Sequence, residues 1–78
     1  MSPEEFREIQ TDLGWNHPHT AGALGMSEVS VKRMATGAQT ITKQTARMLI
    51  GLLVVEQAGL SKKYQKLLDK YHSDTTTD

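Results

Sequence analysis

Seventy-eight residues suffice for one domain with a modest core, and nine Lys and Arg balance nine Asp and Glu to a net charge of zero. No cysteine is present, which excludes disulfides and thiolate metal sites. No apolar run reaches membrane-spanning length and the first residues are acidic, unlike a signal peptide, so a cytoplasmic protein is expected.

The chain opens on Ser2-Pro3-Glu4-Glu5, the makings of a helix start. Ser2 can cap, Pro3 suits the first helical position, and Glu5 completes a capping box. Phe6, Ile9 and Leu13 follow at helical spacing and predict one apolar stripe over 3–13. Gly14 ends the helix, and Trp15 is expected to pack back on its last turn rather than stack on a base.

Two short helices joined by a tight turn are predicted across 17–37. Asn16 caps the first, with Pro18 in its opening turn, and Gly25 can take the left-handed conformation that ends it. Ser27 caps the second, which runs over 28–36 until Gly37 stops it. Ala21, four residues before Gly25, allows a close helix crossing. Val31 and Met34 share one buried face of the second helix.

The linker GAQTIT, 37–42, is polar except for Ile41, which is expected to plug the core. Thr42 or Thr40 caps a fourth helix from 43 to about 58, with Gly59 as its stop. Its segment MLIGLLVV, 48–55, is apolar at seven of eight positions, so more than one face is hydrophobic. Ser61 is expected to cap a fifth helix over 62–72, with Tyr64, Leu67, Leu68 and Tyr71 on one stripe. The tail, 73–78, is polar and expected to be disordered.

The spacing across 17–37 resembles the helix-turn-helix, with a small residue, a turn glycine and a paired apolar anchor at its characteristic offsets. With LGW before it and G…I…ARMLIGLL after it, residues 3–55 look like a Cro and phage-repressor type domain of the xenobiotic-response-element family. Two residues depart from the pattern. Thr20 stands where the family usually has a larger apolar residue. Gly22 weakens its helix by roughly 0.5–1 kcal/mol relative to alanine.

The resemblance implies an all-α, five-helix bundle of the lambda-repressor-like helix-turn-helix type over 1–72, with 28–36 as recognition helix. Early residues of such a helix face base edges in the major groove. The expected base contacts are Ser27, Glu28, Val29, Ser30, Lys32 and Arg33. Arg33 can hold guanine O6 and N7 with two parallel bonds, Glu28 can accept from cytosine N4, and Val29 can pack on a thymine methyl. His17 occupies the position where family members often carry a phosphate-binding glutamine, so the resemblance implies a phosphate contact from His17, preferentially in its protonated form. Thr40, Thr42 and Lys43 lie at a helix N-terminus suited to phosphate, with Arg47 one turn deeper.

Charge distribution fits this assignment better than net charge does. Residues 1–13 hold four carboxylates against Arg7, a net −3, whereas 27–47 hold Lys32, Arg33, Lys43 and Arg47 against Glu28, a net +3. Only the surface that meets phosphate needs to be basic.

The expected function is a sequence-specific double-stranded DNA-binding regulator, a phage or bacterial repressor that occupies an inverted-repeat operator as a homodimer and regulates its own operon. The apolar surplus of 43–72 assigns dimerisation to Val54, Val55, Leu60, Tyr64, Leu68 and Tyr71. Two alternatives remain open at this level: a DNA-binding antitoxin that also grips a toxin protein, and a protein-interaction module that keeps the fold without binding DNA. No enzyme is expected, because no phosphate-cradling loop, paired carboxylates or nucleophile beside a base occurs. His17 and His19 have no third ligand nearby, so no metal, cofactor or small-molecule substrate is expected.

Overall fold

The computed structural model describes residues 1–75, which form five helices and no strand: α1 Pro3–Leu13, α2 His17–Leu24, α3 Glu28–Thr36, α4 Lys43–Gln57 and α5 Ser61–Thr75. Each of the first four begins on a side chain that satisfies an otherwise unpaired amide. Ser2 and Glu5 form the full capping box. Asn16, Ser27 and Thr42 accept from the amides of His19, Ser30 and Thr45, and Thr42 rather than Thr40 caps α4.

Three helix ends share one hydrogen-bond pattern. Trp15 N–H bonds Gln10 carbonyl, Met26 N–H bonds Ala21 carbonyl and Leu60 N–H bonds Val55 carbonyl, at 2.9–3.0 Å. In each case the preceding glycine is left-handed and donates to the residue three positions back, the Schellman arrangement. The residue after each glycine is apolar. Trp15 and Met26 pack on the core, whereas Leu60 stays 49% exposed. At Gly37 substitution is doubly restricted. Its φ is +87°, and an added Cβ would lie 3.3 Å from Pro3 Cγ of α1.

The core joins the first four helices. α1 packs against α3 and α4, and α2 packs against the same two helices. Phe6 and Leu13 meet Ala21 and Leu24, Val31, Met34 and Ala35, and Leu49 and Leu52. Ile41 packs against this cluster from the loop. The α1 stripe differs from the expected one in a single member. Gln10 is buried and Ile9 only partly so, because Gln10 finds a polar partner inside the core. Arg7 donates to the Ala35 carbonyl near the end of α3, tying α1 to an acceptor that has no intrahelical donor.

α4 is apolar on more than one side. Leu49 and Leu52 are buried, while Ile50 and Val54 are exposed. α5 packs against α4, and Tyr64 reaches the core. Two expectations for α5 need correction. Ser61 is the first residue of the helix rather than its cap, and its hydroxyl donates to the Glu56 carboxylate at the end of α4. The helix also continues through Thr75, past the expected end at His72, since no glycine or proline follows Gly59 to interrupt it. The rest of the expected tail, 76–78, lies outside the described residues.

Candidate nucleic-acid interface

α3 separates its residues by helical period. Val31, Met34 and Ala35 are buried, while Glu28, Val29, Lys32, Arg33 and Thr36 are exposed on the opposite arc. Val29 is an apolar side chain 57% exposed at the start of this arc. Ser27 Oγ accepts from Ser30 N at 3.1 Å and donates to Ser30 Oγ at 3.0 Å. The two hydroxyls therefore hold the first turn of α3, which leaves Ser30 half-buried.

Glu28 and Lys32 pair with each other at 3.5 Å across one turn. Both are well exposed, and such pairs contribute about 0.3–0.5 kcal/mol, so either side chain exchanges its partner at small cost. The Arg33 guanidinium has no partner among the described residues and is exposed beside them.

Thr42 Oγ1 accepts from Thr45 N and donates to Thr45 Oγ1, so this hydroxyl is already engaged in its cap. Thr40, Lys43 and Arg47 are exposed and make no side-chain bond among the described residues. The first turn of α4 lies beside the α2–α3 turn. Gln44 and Thr45 share a small depression of about 190 Å³ with Leu24 and Met26. The opening of α4 is thereby brought next to the turn that leads into α3, while Arg47 stands a turn further along.

His17 is half-buried at the first position of α2. Its Nδ1 lies 3.3 Å from Gln10 Nε2, and the same Nε2 lies 2.8 Å from Thr20 Oγ1. Thr20 Oγ1 in turn donates to the Asn16 carbonyl at 2.8 Å. Thr20 is wholly buried and Gln10 is 5% exposed. This internal polar cluster was not anticipated from the sequence. Its signal was Thr20 itself, a polar residue where the resemblance leads one to expect a larger apolar one. Trp15 faces His19, with ring centroids 4.9 Å apart, and packs on the core as expected.

The residues expected to form a dimer interface do not share one environment. Val54 and Tyr71 are each 58% exposed, and Leu60 is exposed with them. Val55, Tyr64 and Leu68 are half-buried along a cleft of about 880 Å³ between α2, α4 and α5, walled also by Trp15 and Leu24. Leu67 and Ile50, outside the expected set, are likewise exposed.

Among the described residues no group of three His, Asp or Glu side chains is placed to hold a metal ion, and no helix is long and apolar enough to cross a membrane. No protein-family model matches the chain, nor does any curated protein or solved structure.

Proposed function

We propose that this chain is a sequence-specific, double-stranded DNA-binding transcriptional regulator with a lambda-repressor-like helix-turn-helix, acting as a homodimer on an inverted-repeat operator. The observation that carries this reading is the division of α3. One side buries Val31, Met34 and Ala35, and the other presents Glu28, Val29, Lys32 and Arg33 to solvent from a helix capped at both ends. A helix held this way can enter a major groove without losing its core contacts.

Arg33 reads guanine, Val29 meets a thymine methyl and Glu28 accepts from cytosine once it leaves Lys32. Lys43, with Thr40 and the amides of the α4 N-terminus, grips phosphate beside it, and His17 does so from the start of α2. The exposed apolar residues Val54, Leu60 and Tyr71 pair two copies, which sets two α3 helices in successive major grooves about 34 Å apart. Bound over a promoter, such a dimer represses by occupancy.

A second reading, an antitoxin that also holds a toxin protein, is favoured by the largely apolar cleft between α2, α4 and α5, which a partner helix could fill.

Selection of bound duplexes from a random pool tests the proposal, and an inverted repeat among the winners is expected. Arg33→Ala then loses roughly 1–3 kcal/mol at one base pair of each half-site. Lys43→Ala weakens all duplexes alike and lowers the salt slope by about 1 per subunit. Absence of any salt-dependent duplex binding overturns the reading.

A further inference from the structure

We propose that Gln10 and Thr20 are positioning residues that fix the neutral His17 ring with its proton on Nε2, so that His17 serves as an uncharged hydrogen-bond donor to a nucleic-acid phosphate. The phosphate in this statement rests on the DNA-binding reading above. The positioning itself does not.

Thr20 has one hydroxyl proton, and it goes to the Asn16 carbonyl at 2.8 Å. Thr20 Oγ1 can then only accept from Gln10, 2.8 Å away, so Gln10 must present its NH2 and not its carbonyl oxygen at that place. The second hydrogen of the same NH2 reaches His17 Nδ1 at 3.3 Å. A nitrogen that faces a donor carries its lone pair. Nδ1 therefore accepts, and the ring proton of neutral His17 belongs on Nε2.

Nε2 makes no hydrogen bond within the chain among the described residues. The residue is half-buried, so the ring is held on one side and reachable on the other. It stands directly after the Asn16 cap, where the first amides of α2 also lack intrahelical acceptors. An N–H donor on the first residue of a helix stands near those amides, a setting that favours an anionic oxygen. The supporting groups are well fixed. Thr20 is wholly buried, Gln10 nearly so, and Gln10 bridges from α1 to two residues of α2. A partner fixed on one ring nitrogen in this way sets both the tautomer and the orientation of the other.

Long-range proton–nitrogen correlation spectra of the 15N-labelled protein, at a pH where the ring is neutral, test the positioning. For His17 they should show one tautomer, with a lone-pair nitrogen at Nδ1 and a protonated nitrogen at Nε2. Thr20→Val keeps the side-chain shape but removes the hydroxyl that fixes the Gln10 amide. In that variant the two nitrogen shifts should move toward the mixed values of a free imidazole. A proton on Nδ1 in the unmodified protein, or a tautomer unchanged by Thr20→Val, overturns the proposal. The first of these measurements needs no substitution and so does not depend on the variant folding.

Addition of a short random-sequence duplex at low salt supplies the second arm. His17 Nε2 should shift while Nδ1 keeps its lone-pair character. If the duplex moves α3 resonances but leaves His17 Nε2 in place, the donor role is overturned and the DNA-binding reading stands. If it moves none, the proposed function and the donor role fall together.

Discussion

The Gln10–Thr20 pair couples two helices through polar atoms in an otherwise apolar core, and a double-mutant cycle measures that coupling. Gln10→Leu replaces the amide by an apolar side chain of similar size. It leaves the Thr20 oxygen, wholly buried, without its donor. Thr20→Val keeps the volume, removes the bond to the Asn16 carbonyl and leaves one Gln10 N–H unmet at 5% exposure. Each single change strands a buried polar group, which costs about 1–3 kcal/mol. The double variant strands neither, because both halves of the bond are gone. The His17 Nδ1 that Gln10 also serves is half-buried and open to water. The double variant should therefore be destabilised by less than the sum of the singles, with a coupling of about 0.5–3 kcal/mol. Urea unfolding followed by helical circular dichroism is the assay. At a slope of about 2 kcal/mol per molar, a loss of 2 kcal/mol moves the midpoint by about 1 M. Additive costs, or singles each within about 0.5 kcal/mol of the unmodified protein, would refute the account of the pair as a satisfied buried network.

Val31→Asp should lower the melting temperature sharply, since the carboxylate would enter a site with no exposure and no partner, at several kcal/mol against a total of roughly 5–15; an unchanged melt would mean that this face of α3 is not the buried one. Val54→Asp adds a charge at a residue 58% exposed, so helicity should survive while light scattering shows a shift from dimer to monomer; a dimer that persists would put the interface elsewhere. The Glu5 carboxyl is held below its ordinary range by the Ser2 backbone amide and by the Ser2 hydroxyl. Its stabilising effect is present above the unfolded-state value and lost as pH falls from the ordinary glutamate range through the lower folded value. Carboxyl NMR titration should show Glu5 below the ordinary range, and Ser2→Ala, which removes the hydroxyl but keeps the backbone amide, should raise it only part of the way back; a Glu5 titration that Ser2→Ala leaves in place would contradict the cap assignment.

The ends of the first four helices were legible in the chain itself because they are local. A cap joins residues three apart, and a left-handed glycine closes a turn with carbonyls a few residues back. Ser2 with Glu5, Asn16 with His19, Ser27 with Ser30 and Thr42 with Thr45 depend on nothing beyond their own turns. The buried side of α3 was legible for a similar reason, since Val31 and Met34 already share a face by helical period. What the tertiary structure decided lies between helices. Gln10 and Thr20 stand ten residues apart, and although Thr20 stood out in the sequence, nothing local joined it to Gln10; their burial makes the bond matter. Arg7 meets Ala35 across 28 residues, a contact no local rule contains. The surplus apolar residues of α4 and α5 were countable from sequence. Which of them turned to the cleft, as Val55, Tyr64 and Leu68 did, and which to solvent, as Val54, Leu60 and Tyr71 did, was set by how α5 leans on α4. Periodicity fixes which residues share a face, but only packing fixes what covers it.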